Sequence, residues 1–196
     1  FKNEIAAELA AILAFLATKN NDKVGLIVFS DYVEQFIPPQ KGRAHIWRII
    51  RTVLTHKNQG RTTDIKCAFD YLAKVSPRKS MCFLLSDFYC QNFEQSLRIM
   101  TKRHDLVCVD ISDTSEHNLS PCGIMEFADA ETGETVIIDT TSQEVRDCFT
   151  KQRQLEKKKL FEKLRKYRID YFEVRTNESI VTPLMLYFRK REKYLR

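Results

Sequence analysis

Met81-Cys82-Phe83-Leu84-Leu85 is an unbroken apolar run of strand length, and it ends on Ser86-Asp87-Phe88. A strand apolar on both faces must be covered on both, which is the situation of a parallel sheet held between helices. Such a sheet binds ligands beyond the C-terminal ends of its strands, so Asp87 is expected at a ligand-binding edge. Ser86 and Asp87 equally suit the capping of the turn and helix that follow, and the residues alone leave both roles open.

Around that run the chain alternates between helix and strand. Ile5 to Leu16 predicts an apolar first helix, and Val24 to Ser30 a second continuous apolar strand. Val33 to Ile37, closed by Pro38-Pro39, suits a sheet edge because proline cannot donate to a ladder, and it is expected to pair antiparallel with Val24–Phe29. Ile46, Trp47, Ile49, Ile50, Val53 and Leu54 recur at helical spacing from Arg43 to Thr55 and predict a helix that packs one face. Ile65, Ala68, Phe69, Leu72, Ala73 and Val75 predict another. A helix from Asn92 to His104 leads to a further strand, Asp105 to Ile111. This alternation predicts an α/β fold with a doubly wound, mainly parallel sheet and helices on both faces.

Met125–Asp129 and Thr135–Asp139 flank Glu131-Thr132-Gly133-Glu134 and predict an inserted β-hairpin. Thr141 with Glu144 matches a capping box for a long helix reaching about Tyr167. Its expected core residues are Val145, Cys148, Phe149, Leu155, Leu160, Phe161 and Leu164. Asp170 to Val174 is the last strand, and Thr182-Pro183 opens a final helix carrying Leu184, Tyr187, Phe188 and Leu195.

At 196 residues and 43% apolar content, the chain is expected to form a single domain, residues 1–196, with a full core. The first helix is apolar around most of its circumference and needs cover on several sides. The chain therefore reads as an N-terminally truncated fragment, with partners of that helix upstream of Phe1. No stretch reaches the roughly 18 apolar residues of a membrane span. The six cysteines form no C-x-x-C pair, and several lie in apolar segments, as expected of reduced thiols in a cytoplasmic protein. The net charge of +6 is uneven: residues 151–196 hold 15 Lys and Arg against 6 Asp and Glu, or +9, leaving −3 for the rest. A long basic helix is commonly a solvated face, and no nucleic-acid module signature accompanies it, so nucleic-acid binding is not expected.

In this topology the loop Thr62-Thr63-Asp64 and the strand end Ser86-Asp87 fall on the same C-terminal edge, about one βα unit apart. Hydroxyl and carboxylate oxygens are the donors a hard ion such as Mg²⁺ prefers. Two loops make an incomplete cage, and a third contribution would come from a strand preceding the first helix. Asp110 and Asp113 could instead join Asp87 in a metal-dependent hydrolase or nuclease, although turn roles explain aspartates after strands equally well. His45, His56, His104 and His117 lack H-x-x-x-H spacing, and no nucleophile elbow, phosphate loop or dinucleotide fingerprint is present.

The ordered set of the apolar first helix, Val24-Gly25-Leu26-Ile27-Val28-Phe29, Pro38-Pro39, Gly60-Arg61-Thr62-Thr63-Asp64-Ile65, Phe83-Leu84-Leu85-Ser86-Asp87-Phe88, the Thr132-Gly133 hairpin and the basic final helix resembles the bacterial domain of unknown function 58 family. That family belongs to the von Willebrand factor A-like proteins, and the resemblance spans essentially the whole chain. It implies a Rossmann-like A domain with a metal-ion-dependent adhesion site, in which an Asp-x-Ser-x-Ser loop, a Thr and an Asp hold the ion. Thr63 matches the threonine and Asp87 the aspartate, with Asp64 and Ser86 beside them. Asp64 stands where many A domains have Asn, and Phe88 where many have Gly. The first central strand and the Asp-x-Ser-x-Ser loop are expected just upstream of Phe1, so Mg²⁺ or Mn²⁺ is expected in a longer chain and not in this one. Genes of this family often accompany MoxR-type AAA+ ATPases. The resemblance thus implies a non-enzymatic adaptor in complex assembly, whose metal site in the longer chain captures an acidic side chain of a protein partner, such an ATPase or its client.

Overall fold

The computed structural model describes residues 2–57, 59–60, 62–90, 93–116, 118–128 and 135–194, without the side chains of 114, 128 and 194. The expected turn Glu131-Thr132-Gly133-Glu134 lies outside the described residues, as do Arg61, Asn92, His117 and Leu195. The elements are α1 (Lys2–Lys19), β1 (Val24–Phe29), β2 (Val33–Gln40), α2 (Arg43–Thr55), α3 (Ile65–Val75), β3 (Met81–Ser86), α4 (Glu94–Arg103) and β4 (Asp105–Ser112). A short 3-10 turn at Thr114–Glu116 precedes β5 (Ile124–Ala128), β6 (Thr135–Asp139), α5 (Gln143–Lys166), β7 (Asp170–Arg175) and α6 (Val181–Tyr194).

The apolar run Met81–Leu85 lies in β3, which pairs parallel with β4, which in turn pairs parallel with β7. β4 is buried along nearly its whole length because it has a ladder on each side and helices on each face. On one face α3, α4 and α5 supply Phe69, Leu97, Met100 and Leu164 against Leu84, Leu106 and Cys108. On the other, α1 and α6 supply Leu9, Leu184 and Tyr187 against Val107, Val109 and Val174. The register sets Leu84 beside Cys108 and Cys108 beside Tyr171, then Ser86 beside Asp110 and Asp110 beside Glu173. An apolar tier thus gives way to a polar tier at the C-terminal edge.

The sheet is less continuous than the alternation predicts. β1 and β2 pair antiparallel, Ile27 opposite Phe36, but among the described residues this hairpin carries no ladder to β3. It is joined to the main sheet through side chains instead, with Phe29 packed against the cluster around Phe69 and Leu84. β5 and β6 form the expected inserted hairpin, Phe127 opposite Val136, again as a separate ladder.

Several local expectations are corrected. Ser142, not Thr141, caps α5, accepting from Val145 N at 3.4 Å, because the Thr141 hydroxyl donates to Asp139 in the turn after β6. Of the core residues expected on α5, Leu164 is buried, whereas Cys148, Leu155 and Phe161 are exposed. The fully buried contact of that helix with the sheet is made by Leu164, near its C-terminal end. On α2, Ile46 and Ile49 are buried while Trp47 and Leu54 face outward. α1 buries Ala7, Leu9 and Ala14 and leaves Phe15 exposed. No helix among the described residues is long and apolar enough to cross a membrane.

Candidate functional site

The chain turns sharply where β3 ends. Ser86 Oγ accepts from Phe88 N at 3.1 Å, and Asp87 Oδ1 from Tyr89 N at 3.4 Å. These side chains give the backbone the local partners a turn requires. Phe88 has φ 57°, in the left-handed region where bulky residues are outliers. Its ring is 7% exposed and packs 6.1 Å from that of Phe93. Phe88 thus has a backbone conformation that suits glycine, held by burial of a large side chain.

The other oxygen of Asp87 faces a cation. Lys2 Nζ donates to Asp87 Oδ2 at 3.1 Å and also pairs with Glu116. The ammonium lies 5.5 Å from the centroid of the Tyr89 ring. Burial pulls the Lys2 pKa down, but the bonds to Glu116 and Asp87 and their charge outweigh it and raise the value. The sequence reading missed Lys2 and Glu116. One signal was present: a lysine in the first turn of a helix opposes the macrodipole and calls for carboxylates nearby.

Thr63 and Asp64 sit on the loop before α3. Asp64 is the N-cap, accepting from Lys66 N at 2.8 Å, and its own amide donates to Ser30 O at 2.8 Å at the end of β1. Glu34 of β2 anchors the preceding segment, accepting from Gln59 N at 3.2 Å and Gly60 N at 3.1 Å and pairing with His56. The Ser30 hydroxyl, with help from His56 and the two amides and against burial, holds Glu34 down to about 2. Gly60 is required by close approach: a Cβ there would lie 2.0 Å from Asp31 Oδ1 and 2.1 Å from Ser30 Oγ. Thr63 is half-buried beside this anchor. No hydrogen bond or ion pair joins Thr63 or Asp64 to Asp87 among the described residues.

A second polar group occupies the ends of β4 and β7. Tyr171 Oη donates to Asp110 Oδ2 at 2.7 Å, and Lys157 Nζ of α5 lies 3.7 Å from the same oxygen while pairing with Glu173. Ser112 Oγ at 2.8 Å and Arg175 Nε at 3.0 Å also donate to Glu173. Burial would raise the Glu173 pKa, but these donors, Lys157 foremost, hold it down to about 2. Asp113 accepts from Ser115 N at 2.9 Å and Thr176 Oγ1 at 2.6 Å, and the Ser115 hydroxyl, followed by Thr176, lowers it to about 2. Asp110 and Asp113, the aspartates a hydrolase would draw on, are thus both tied into the fold. The described histidines are locally bonded as well: His45 to Val24 O, His56 to Glu34 and His104 to Ser80.

The four candidate ligands do not fit a resident divalent ion as they stand. Asp64 caps α3, Ser86 serves the turn, and Asp87 holds an ammonium, which leaves Thr63 as the one candidate without such a duty. Among the described residues no cluster of three or more His, Cys, Asp or Glu is arranged to hold a metal.

What the fold and this edge define is a mixed α/β domain: a parallel three-stranded sheet flanked by helices, whose strand ends carry carboxylates matched to ammonium groups. The family described as "Protein of unknown function DUF58" matches residues 1–159, and the chain belongs to that family. An uncharacterized protein of Mycobacterium tuberculosis is 27% identical over 135 residues, covering 67% of this chain and 43% of the relative. The chain thus spans less than half the length of that protein. An uncharacterized protein of Mycobacterium avium is 24% identical over 160 residues, covering 80% of this chain and 94% of the relative. Among solved structures, the conserved hypothetical protein BatB from Bacteroides thetaiotaomicron superposes with a TM-score of 0.55 at 15% identity, covering 97% of this chain and 88% of the other. That likeness concerns the fold.

Proposed function

We propose that this domain is a non-enzymatic protein-interaction module of the von Willebrand factor A-like type. In this reading it works in the cytoplasm as an adaptor for a MoxR-type AAA+ ATPase or its client during complex assembly. The observation that carries the reading is the position of Asp87. It stands half-exposed at the C-terminal end of a strand in a parallel sheet, the edge at which such sheets receive ligands. Thr63, on the neighbouring loop, belongs to the same face in this reading. A Mg²⁺ or Mn²⁺ ion would draw on Thr63 and Asp87 only with oxygen donors beyond those two, and partner capture is assigned here to the side chains themselves.

The test is co-purification of the MoxR-type ATPase of the same bacterium with this protein and with Asp87→Ala. Asp87→Ala is expected to weaken retention at least about tenfold, worth about 1.4 kcal/mol, while circular dichroism stays unchanged. Equal retention by both proteins would sink the proposal.

A further inference from the structure

The β5–β6 hairpin and the outer side of α6 are both open to solvent, and they carry opposite charge. Side chains alternate along a strand, and the register sets Ile124 opposite Asp139 and Glu126 opposite Ile137, so these four share one face. Ile124 is 75% and Ile137 73% exposed, and the two carboxylates are exposed beside them. The segment from Ile124 to Asp139 holds five carboxylates and no lysine or arginine. On α6, Leu184 and Tyr187 turn to the core, and Arg191 is tied to Asp105 and Asp170. Met185 and Leu186, with Arg189 and Lys190 one turn further on, are left exposed. No ion pair or hydrogen bond engages Arg189 or Lys190 among the described residues. Charge follows the apolar group after about 6 Å on the helix and about 7 Å on the strand, so the two faces match in spacing as well as in sign.

We propose that the β5–β6 face of one copy docks on the α6 face of a second copy, the isoleucines against Met185 and Leu186 and the carboxylates against Arg189 and Lys190. Within one molecule both faces stay exposed, so the hairpin does not rest on its own α6. A second copy supplies each face with the charge and the apolar surface it lacks. Burial of the apolar groups holds the contact, while the opposite charges fix its orientation and exclude the like-charged pairing of hairpin with hairpin. The contact is heterologous, because two different faces meet. Each association leaves a hairpin free at one end and an α6 face free at the other, and growth continues past the dimer unless a ring closes. The patch is small and its charges are exposed, so the association is weak and sensitive to salt. It needs no ATPase, and Asp87 takes no part in it.

The experiment is sedimentation velocity on the parent and on two double variants whose folding is checked by circular dichroism. One carries Arg189→Glu with Lys190→Glu, the other Glu126→Lys with Ile137→Thr, all at exposed positions. The weight-average mass of the parent is expected to rise at least about twofold between about 10 µM and about 1 mM at low salt, and to fall back in about 0.5 M salt. Each variant alone is expected to stay monomeric, because one of its two faces is spoiled. An equimolar mixture of the two is expected to associate again, since the first variant keeps the native hairpin and the second keeps the native α6. A parent that stays monomeric throughout, either variant associating as the parent does, or a mixture that stays monomeric overturns the proposal. Retention of the ATPase in the co-purification is a separate readout, and its failure leaves these outcomes unaffected.

Discussion

Phe88 joins an unfavourable backbone angle to a favourable burial, and the larger effect decides its substitution. Glycine would remove left-handed strain of about 1–2 kcal/mol, but it would also empty a site whose truncation costs about 3–5 kcal/mol. Phe88→Gly is therefore expected to lower stability by about 1–4 kcal/mol in urea unfolding, even though glycine suits the backbone better. Glu34 answers to pH. Its pKa is depressed from the ordinary 4.5 to about 2, so the unfolded chain binds more protons through that interval. The stabilisation is fully present above about pH 4.5 and is lost as the pH falls through about 2. Glu34→Gln is expected to cost about 1–3 kcal/mol at neutral pH, because two backbone amides lose a charged acceptor. It should also flatten the acid limb of a melting-temperature profile between those two pH values. A limb of unchanged steepness would show that other carboxylates govern it.

At the scale of elements, α5 spans 24 residues, with Leu164 buried against Leu106 and Ile169 near its C-terminal end and Lys157 ion-paired further back along it. Leu164→Ala is expected to cost about 2–5 kcal/mol, and Leu155→Ala less than about 0.5 kcal/mol, in parallel denaturant titrations. The β5–β6 hairpin has exposed apolar residues on its strands, Ile124, Val136 and Ile137, and a ladder of its own. An isolated two-stranded ladder is marginally stable in water. Its amides are expected to exchange with solvent faster than those of β4 by several orders of magnitude, as hydrogen-exchange mass spectrometry would read directly.

Among the described residues the strands form three separate sheets, with helices packed on both faces of the three-stranded one. Phe69 of α3 shares one cluster with Leu84 of β3 and Phe29 of β1, so it links the β1–β2 hairpin to the main sheet. Phe69→Ala is expected to cost about 3–5 kcal/mol and, at a temperature where the fold persists, to raise exchange in β1–β2 more than in β3–β4–β7. Equal acceleration in both would show that the hairpin and the sheet unfold as one unit.

Sequence alone determined the elements and their kinds, because apolar periodicity and turn residues act locally. β3 and β4 read as buried strands, α2 and α3 as amphipathic helices, and β5–β6 as a hairpin flanking the turn. It also located Asp87 at a strand end, since the apolar run stops there. Tertiary structure decided which charges meet. Lys2 and Asp87 are 85 positions apart, and Tyr171 and Asp110 are 61 apart, distances over which no local pattern carries information. It likewise decided that α5 buries Leu164 rather than its whole expected stripe, and that β1–β2 stands apart from β3. Burial and ladder pairing depend on what the rest of the chain brings alongside, which a residue's own neighbourhood in sequence does not contain.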